Sequence, residues 1–170
     1  RRERGGGVRR AVFGEAAEYR RLWNPGEGSD INEGGDGNDT VEVNGGNGAE
    51  IFTIAANGSR VRFDRTNPAP FSLDIGTTEN LALNANGGDD VITAGNGLAG
   101  LIQLSLDGGA GNDTITGGDG NDLINGGDGN DMINGGRGND RVFMGAGDDT
   151  FVWHPGDGSD LGEGHAGHGR

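Results

Sequence analysis

From Gly108 onward the chain repeats itself every nine residues, and so short and strict a period leaves few folds open to it. The units read GGAGNDTIT from Gly108, GGDGNDLIN from Gly117, GGDGNDMIN from Gly126, GGRGNDRVF from Gly135 and MGAGDDTFV from Met144. Position six is always aspartate (Asp113, Asp122, Asp131, Asp140, Asp149), and position eight is always apolar (Ile115, Ile124, Ile133, Val142, Phe151). Gly, Asn and Asp tolerate left-handed backbone, so the first six positions form a turn. The last three form a short strand that points its middle residue inward and its neighbours outward.

Nine residues cannot encircle a core, but two turns and two strands can, so eighteen residues should close one coil of a flattened parallel solenoid. Residues i and i+18 then stack. Ile115, Ile133 and Phe151 are expected on one wall, Ile124 and Val142 on the other. The aspartates fall by the same count into two columns, 113, 131 and 149 along one edge and 122 and 140 along the opposite one. Variant units stand upstream: GGDGNDTVE from Gly34, GGNGAEIFT from Gly45 with Glu50 in the acidic slot, and ANGGDDVIT from Ala85. Between them, IFTIAANGSRVRF (51–63) alternates on both sides of Asn-Gly and predicts a hairpin. RTNPAPF (65–71) follows as a loop, because its prolines lack ladder donors. Further strands are expected at 71–75, 81–83 and 101–106, and no helix is expected after residue 22.

The expected fold is all-β: a right-handed parallel β-roll or β-solenoid with 18-residue coils, plus irregular β rungs and a hairpin upstream. The expected divisions are a basic non-repeat segment (1–22), variant repeat rungs (23–53), an irregular β-solenoid and hairpin region (54–107), the regular β-roll (108–164) and a tail (165–170). WNPGEGSDINEG at 23–34 recurs as WHPGDGSDLGEG at 153–164, an offset of 130 residues that suggests a longer tandem array. By that offset residues 12–22 should resemble 142–152, but only the first two agree. A short amphipathic capping helix or a shifted reading frame would account for this. Trp23 and Trp153 recur with the long unit and are read as packing residues at a rung edge, and His165 and His168 as solvated.

Composition argues against a conventional core, since 39 of 170 residues are glycine and only 31% are hydrophobic. The net charge is −14. Residues 1–21 hold seven arginines against three glutamates, so the rest of the chain carries about −18. Such a surface repels nucleic acid and anionic lipid and attracts cations. No apolar run approaches the roughly 20 residues of a membrane span, and no signal-peptide pattern supports the general secretory route. The absence of cysteine rules out disulfide staples.

Parallel strands lie about 4.8 Å apart, which would set the aspartates of each column within roughly 5 Å of one another. A like-charged pair at that separation costs roughly 3 kcal/mol at an effective dielectric of 20. A divalent cation between successive loops reverses the sign, and glycine carbonyls can turn toward it as further ligands. Every candidate ligand is a hard oxygen, so the ion expected is Ca2+ in preference to magnesium, zinc or copper. Three sites follow from the i, i+18 rule, between Asp113 and Asp131, Asp122 and Asp140, and Asp131 and Asp149. Asp39, Asp90, Asp148 and Asp160 are further candidates. The backbone candidates are glycines at positions two and four: Gly109, Gly111, Gly118, Gly120, Gly127, Gly129, Gly136 and Gly138. Asp119 and Asp128, at position three, add negative field without being counted as ligands.

The pattern Gly-Gly-x-Gly-x-Asp-x-U-x resembles the calcium-binding repeats of the repeats-in-toxin family over roughly residues 23–164. The resemblance implies a parallel β-roll with calcium between turns, position-six acids as ligands, and a secreted, extracellular bacterial protein that uses type I secretion machinery. Two departures stand out: Glu50 with the irregular stretch 54–107, and the lack of an apolar C-terminal tail of the kind that family uses for export. A cell surface or glycan is a further candidate partner, as for an adhesin or matrix spacer, and such repeats also occur attached to secreted enzymes.

No catalytic signature appears, neither H-E-x-x-H nor G-x-S-x-G, and the chain is not expected to be an enzyme. GNGLAG (95–100) fits G-x-G-x-x-G, yet LIQLSL follows it as a strand, so no helix N-terminus is offered to a phosphate. DGNDLINGGDGND lacks the glycine and glutamate an EF-hand requires. Asp89-Asp90 and Asp148-Asp149 are neighbours that face opposite ways and suit structure better than acid/base work.

Overall fold

The computed structural model describes residues 9–12, 20–23 and 28–164. Sixteen strands follow in order: β1 (Arg9–Val12), β2 (Arg20–Trp23), β3 (Asp30–Glu33), β4 (Thr40–Asn44), β5 (Ile51–Asn57), β6 (Arg60–Asn67), β7 (Phe71–Gly76), β8 (Asn80–Asn84), β9 (Val91–Ala94), β10 (Gln103–Ala110), β11 (Thr114–Thr116), β12 (Leu123–Asp128), β13 (Met132–Asn134), β14 (Arg141–Ala146), β15 (Thr150–Phe151) and β16 (Leu161–Gly164). No helix occurs among the described residues. The strands form a nine-stranded sheet, β1-β3-β7-β6-β5-β9-β11-β13-β15, and a seven-stranded sheet, β16-β14-β12-β10-β8-β4-β2. All pairings are parallel except those of β6, which is antiparallel to both β5 and β7.

The chain alternates between the two sheets from β8 to β16, so each nine-residue unit contributes one strand to one wall and its successor one strand to the other. Ile115 pairs with Ile133 and Ile133 with Phe151 in the larger sheet, and Ile124 pairs with Val142 in the smaller, each step spanning eighteen residues. Ile115, Ile124, Ile133 and Val142 are fully buried, and Phe151 is partly covered. Upstream the step lengthens. Thr114 pairs with Val91, and Val91 with Ile51, the latter interval being stretched by the β6–β7 insertion. Phe52, Phe63 and Phe71 fill that insertion, with adjacent ring centroids 5.8 and 5.9 Å apart. Arg60 ties it to its neighbours, its Nε 2.6 Å from Asp74 and its Nη1 2.6 Å from Glu33.

The expected hairpin forms around Asn57-Gly58, with Asn57 opposite Arg60. Three expectations need correction. In the smaller sheet the strands run on into the next unit: β12 and β14 are six residues long where three were expected, because paired glycine backbones extend the ladder (Gly127 opposite Gly145). The loop expected at 65–71 is shorter, since β6 continues to Asn67 and β7 begins at Phe71, leaving Pro68 and Pro70 in the connection. The capping helix expected over 12–22 falls mostly on residues 13–19, which lie outside the described residues, as do His165 and His168; Arg20–Trp23 is a strand parallel to β4, and Arg9–Val12 pairs with β3. Trp153 is 51% exposed, with its Nε1 donating to the Gly158 carbonyl, so it packs less than expected.

Candidate metal centre

Each position-six acid immediately precedes a strand, at the bend where the chain enters a wall. There its carboxylate turns inward and its backbone N–H points along the stack. Asp113, Asp122, Asp131, Asp140 and Asp149 are all buried, at 1 to 3% exposure. Their neighbours Asp89 and Asp148 are exposed, as the alternation of side chains requires.

One column runs along the edge feeding the nine-stranded sheet. The N–H of Glu50 donates to Asp90 Oδ1 (2.7 Å), that of Asp90 to Asp113 Oδ1 (2.8 Å), that of Asp113 to Asp131 Oδ1 (2.8 Å) and that of Asp131 to Asp149 Oδ1 (2.9 Å). On the opposite edge, Asp122 N–H donates to Asp140 Oδ1 (2.8 Å) and Asp140 N–H to Asp160 Oδ1 (3.0 Å). The counting rule thus placed 113, 131 and 149 together and 122 and 140 together, and the fold adds Glu50, Asp90 and Asp160. Asp39 stands apart from the second run: its N–H donates to Glu79 Oε2 (2.7 Å), and β10 separates β8 from β12.

One oxygen of each carboxylate therefore replaces a ladder acceptor, which repetition of Asp alone could not reveal. The other oxygen is the informative one. Oδ2 of Asp90, Asp113, Asp122, Asp131 and Asp140 is buried without a hydrogen-bond partner. Burial raises their pKa values first and adjacent carboxylates raise them further: Asp90 and Asp122 to about 7, Asp131 and Asp140 to about 6, with Asp113 also shifted upward. Buried, unpartnered, negatively charged oxygens in rows are costly unless neutralised.

The donor set fits a hard divalent cation. No three His, Asp or Glu side chains converge among the described residues. A cation here would accordingly take carboxylate oxygens singly or in pairs and complete its shell from backbone carbonyls, as calcium sites do. The loops bring carbonyls close for a definite reason. Gly127 has φ 105°, and a Cβ there would overlap the Gly109 carbonyl oxygen; at Gly126 a Cβ would lie 2.5 Å from both Asp131 Oδ2 and the Met144 carbonyl oxygen. Glycine at position two admits the previous rung's carbonyl, and glycine at position one admits the unit's own carboxylate. Gly109, Gly111, Gly118, Gly129, Gly136 and Gly138 share the positive φ, whereas Gly120 does not.

Three features escaped the sequence reading. Asn112 Oδ1 accepts from Asn130 N–H, Asn130 Oδ1 from Asp148 N–H, Asn121 Oδ1 from Asn139 N–H and Asn139 Oδ1 from Ser159 N–H. The recurring Asn-Asp pair was the available signal for this second ladder. Asp119 accepts from the N–H groups of Gly97 (2.6 Å), Leu98 (2.9 Å) and Ala99 (3.1 Å), and these bonds depress its pKa. GNGLAG is thus an anion nest filled by a carboxylate of this chain. The third feature, the pairing of Glu50 with Arg65 (2.6 Å), joins residues whose separation matches no multiple of the nine-residue period.

The chain matches the family model for the RTX calcium-binding nonapeptide repeat in four copies, over residues 25–49, 82–97, 105–133 and 122–151, together just over half its length. No curated protein matches it. With rows of buried acids at the repeat's acidic position and a match of that extent, the chain belongs to the RTX calcium-binding nonapeptide repeat family.

Proposed function

We propose that this chain is a secreted structural module whose 108–164 region winds as a right-handed β-roll of 18-residue coils and folds when calcium enters its edges. The row of buried Oδ2 atoms without protein partners carries this reading. Calcium would be held between Asp113 and Asp131, between Asp131 and Asp149, and between Asp122 and Asp140. Carbonyls of Gly109, Gly111, Gly118, Gly120, Gly127, Gly129, Gly136 and Gly138 would complete the shells, and Asp39 and Asp160 would serve outlying positions. The ion supplies positive charge to carboxylate oxygens that no protein donor reaches.

The physical consequence is conditional folding. Where calcium is scarce, the acidic chain gains little by coiling and remains suited to threading an exporter such as a type I machinery. In an extracellular medium, ligation adds its free energy to folding. The 23–53 rungs and the 54–107 region would then adjoin the roll as a less calcium-dependent base. A second reading, a spacer that binds a cell surface or glycan, draws on the recurrence of 23–34 at 153–164. Far-UV circular dichroism with calcium and with chelator tests the main reading. Strand signal should rise with calcium, and an unchanged spectrum together with no calcium uptake in calorimetry would overturn it.

A further inference from the structure

The column beginning at Glu50 differs from its later rungs in one respect. Asp90, Asp113 and Asp131 each leave Oδ2 buried and unpartnered, whereas both carboxylate oxygens of Glu50 are occupied. Oε1 accepts from Arg65 Nη1 at 2.6 Å and Oε2 from Gly46 N–H at 2.7 Å. The side chains of Arg65 and Glu50 are 6% and 2% exposed, so this is a buried ion pair. Arg65 is fixed from several sides: Nε and Nη2 donate to the Ala69 carbonyl (3.3 and 3.1 Å), and the guanidinium lies 5.0 Å from the Phe71 ring centroid. It reaches Glu50 because β6 folds back along β5 and sets Arg65 opposite Phe52.

The apolar core is distributed to match. Of the twenty-three buried hydrophobic side chains among the described residues, eighteen lie from Val41 to Leu106 and five from Ile115 to Met144. The first region thus holds most of the apolar burial that favours folding, and the second little of it.

We propose that Arg65 is a built-in cation, taking at the Glu50 rung the role that a metal ion takes at later rungs, so that residues 41–106 fold without calcium and template the calcium-dependent coils. Guanidinium suits the task, being permanently charged and able to donate to Glu50 and Ala69 together. The free end of the column, Asp113 to Asp149, then assembles against an already ordered strand edge at β9 and β10, which spares it the cost of nucleating in isolation. The inference rests on the calcium reading of the later rungs.

Hydrogen exchange by mass spectrometry on the full chain tests it, in chelator and in calcium. In chelator, amides across 52–106 should stay protected while those across 113–152 exchange freely; calcium should protect both. Arg65→Met strands a bare carboxylate in the core and should lower protection of 52–106 in chelator by ~100-fold or more. The double variant Glu50→Gln/Arg65→Met removes both charges and should recover most of that protection. Free exchange of 52–106 in chelator would overturn the template while leaving calcium-driven folding intact. Full protection in Arg65→Met, or a double variant as damaged as the single one, would overturn the role of Arg65. Failure of calcium to protect 113–152 would overturn the calcium reading and the substitute-cation role with it.

Discussion

Asp131→Asn should stabilise the metal-free chain and weaken the calcium-loaded one, an opposition of signs that a merely structural aspartate would not produce. Asparagine retains an oxygen for the Asp113 N–H, now 2.8 Å from Asp131 Oδ1, and removes the charge that sits between Asp113 and Asp149. The structure sets the magnitude. Burial, then the neighbouring carboxylates of Asp113, Asp149 and Asp128, hold Asp131 at about 6 against an ordinary 3.8. At about 1.36 kcal/mol per tenfold, ionising it near neutral pH costs the metal-free fold up to ~3 kcal/mol. Removing one charge from a coupled column relieves only part of this, ~1–2 kcal/mol, or about 5- to 30-fold in the folded population. The gain should vanish near pH 4, where the parent carboxyl is itself protonated. In calcium the variant lacks a charged ligand common to two of the three proposed sites, and the midpoint of a calcium titration should rise by ~10-fold or more. Circular dichroism across calcium concentration, down to chelator where strand signal reports the folded fraction, reads both halves. Equal destabilisation with and without calcium would refute the argument that an uncompensated Oδ2 charge is what the ion relieves.

Acidification should act on the metal-free chain in the same direction. Carboxyls raised to about 6 and 7 at Asp90, Asp122, Asp131 and Asp140 stabilise the fold fully below about pH 4, and that contribution is lost as pH climbs through their folded values. Strand signal in chelator should therefore grow between about pH 7 and pH 5, and calorimetry in two buffers should show proton release on calcium binding. Gly127→Ala forces a side chain onto backbone at φ 105° and into the Gly109 carbonyl; it should cost ~2–4 kcal/mol in calcium. Gly100→Ala, with open space around it, should stay within ~0.5 kcal/mol in the same thermal melts. Ile133→Ala, at a fully buried position, should cost ~2–5 kcal/mol. Its neighbour Met132, 51% exposed, should tolerate alanine with a change below ~1 kcal/mol.

What was legible in the sequence was whatever obeys the period. Nine-residue spacing places Ile115 over Ile133 and Ile124 over Val142, because each turn restores the backbone to the same orientation, and the same count lines up Asp113, Asp131 and Asp149. The hairpin at Asn57-Gly58 was legible too, since its turn chemistry is local. Where the period lapses, spacing loses its force. Glu50 joins the acidic column across an interval lengthened by β6 and β7, Asp90 joins it 23 residues before Asp113 instead of 18, and the partnership of Asp39 with Glu79 depends on which strands become neighbours. Sequence alone determined that acids would stand in rows. Only the tertiary structure decided that one oxygen of each would close a backbone ladder and the other lie buried without a partner, and that Arg65 would meet Glu50, because hydrogen-bond direction and burial belong to the assembled walls and not to any stretch of the chain.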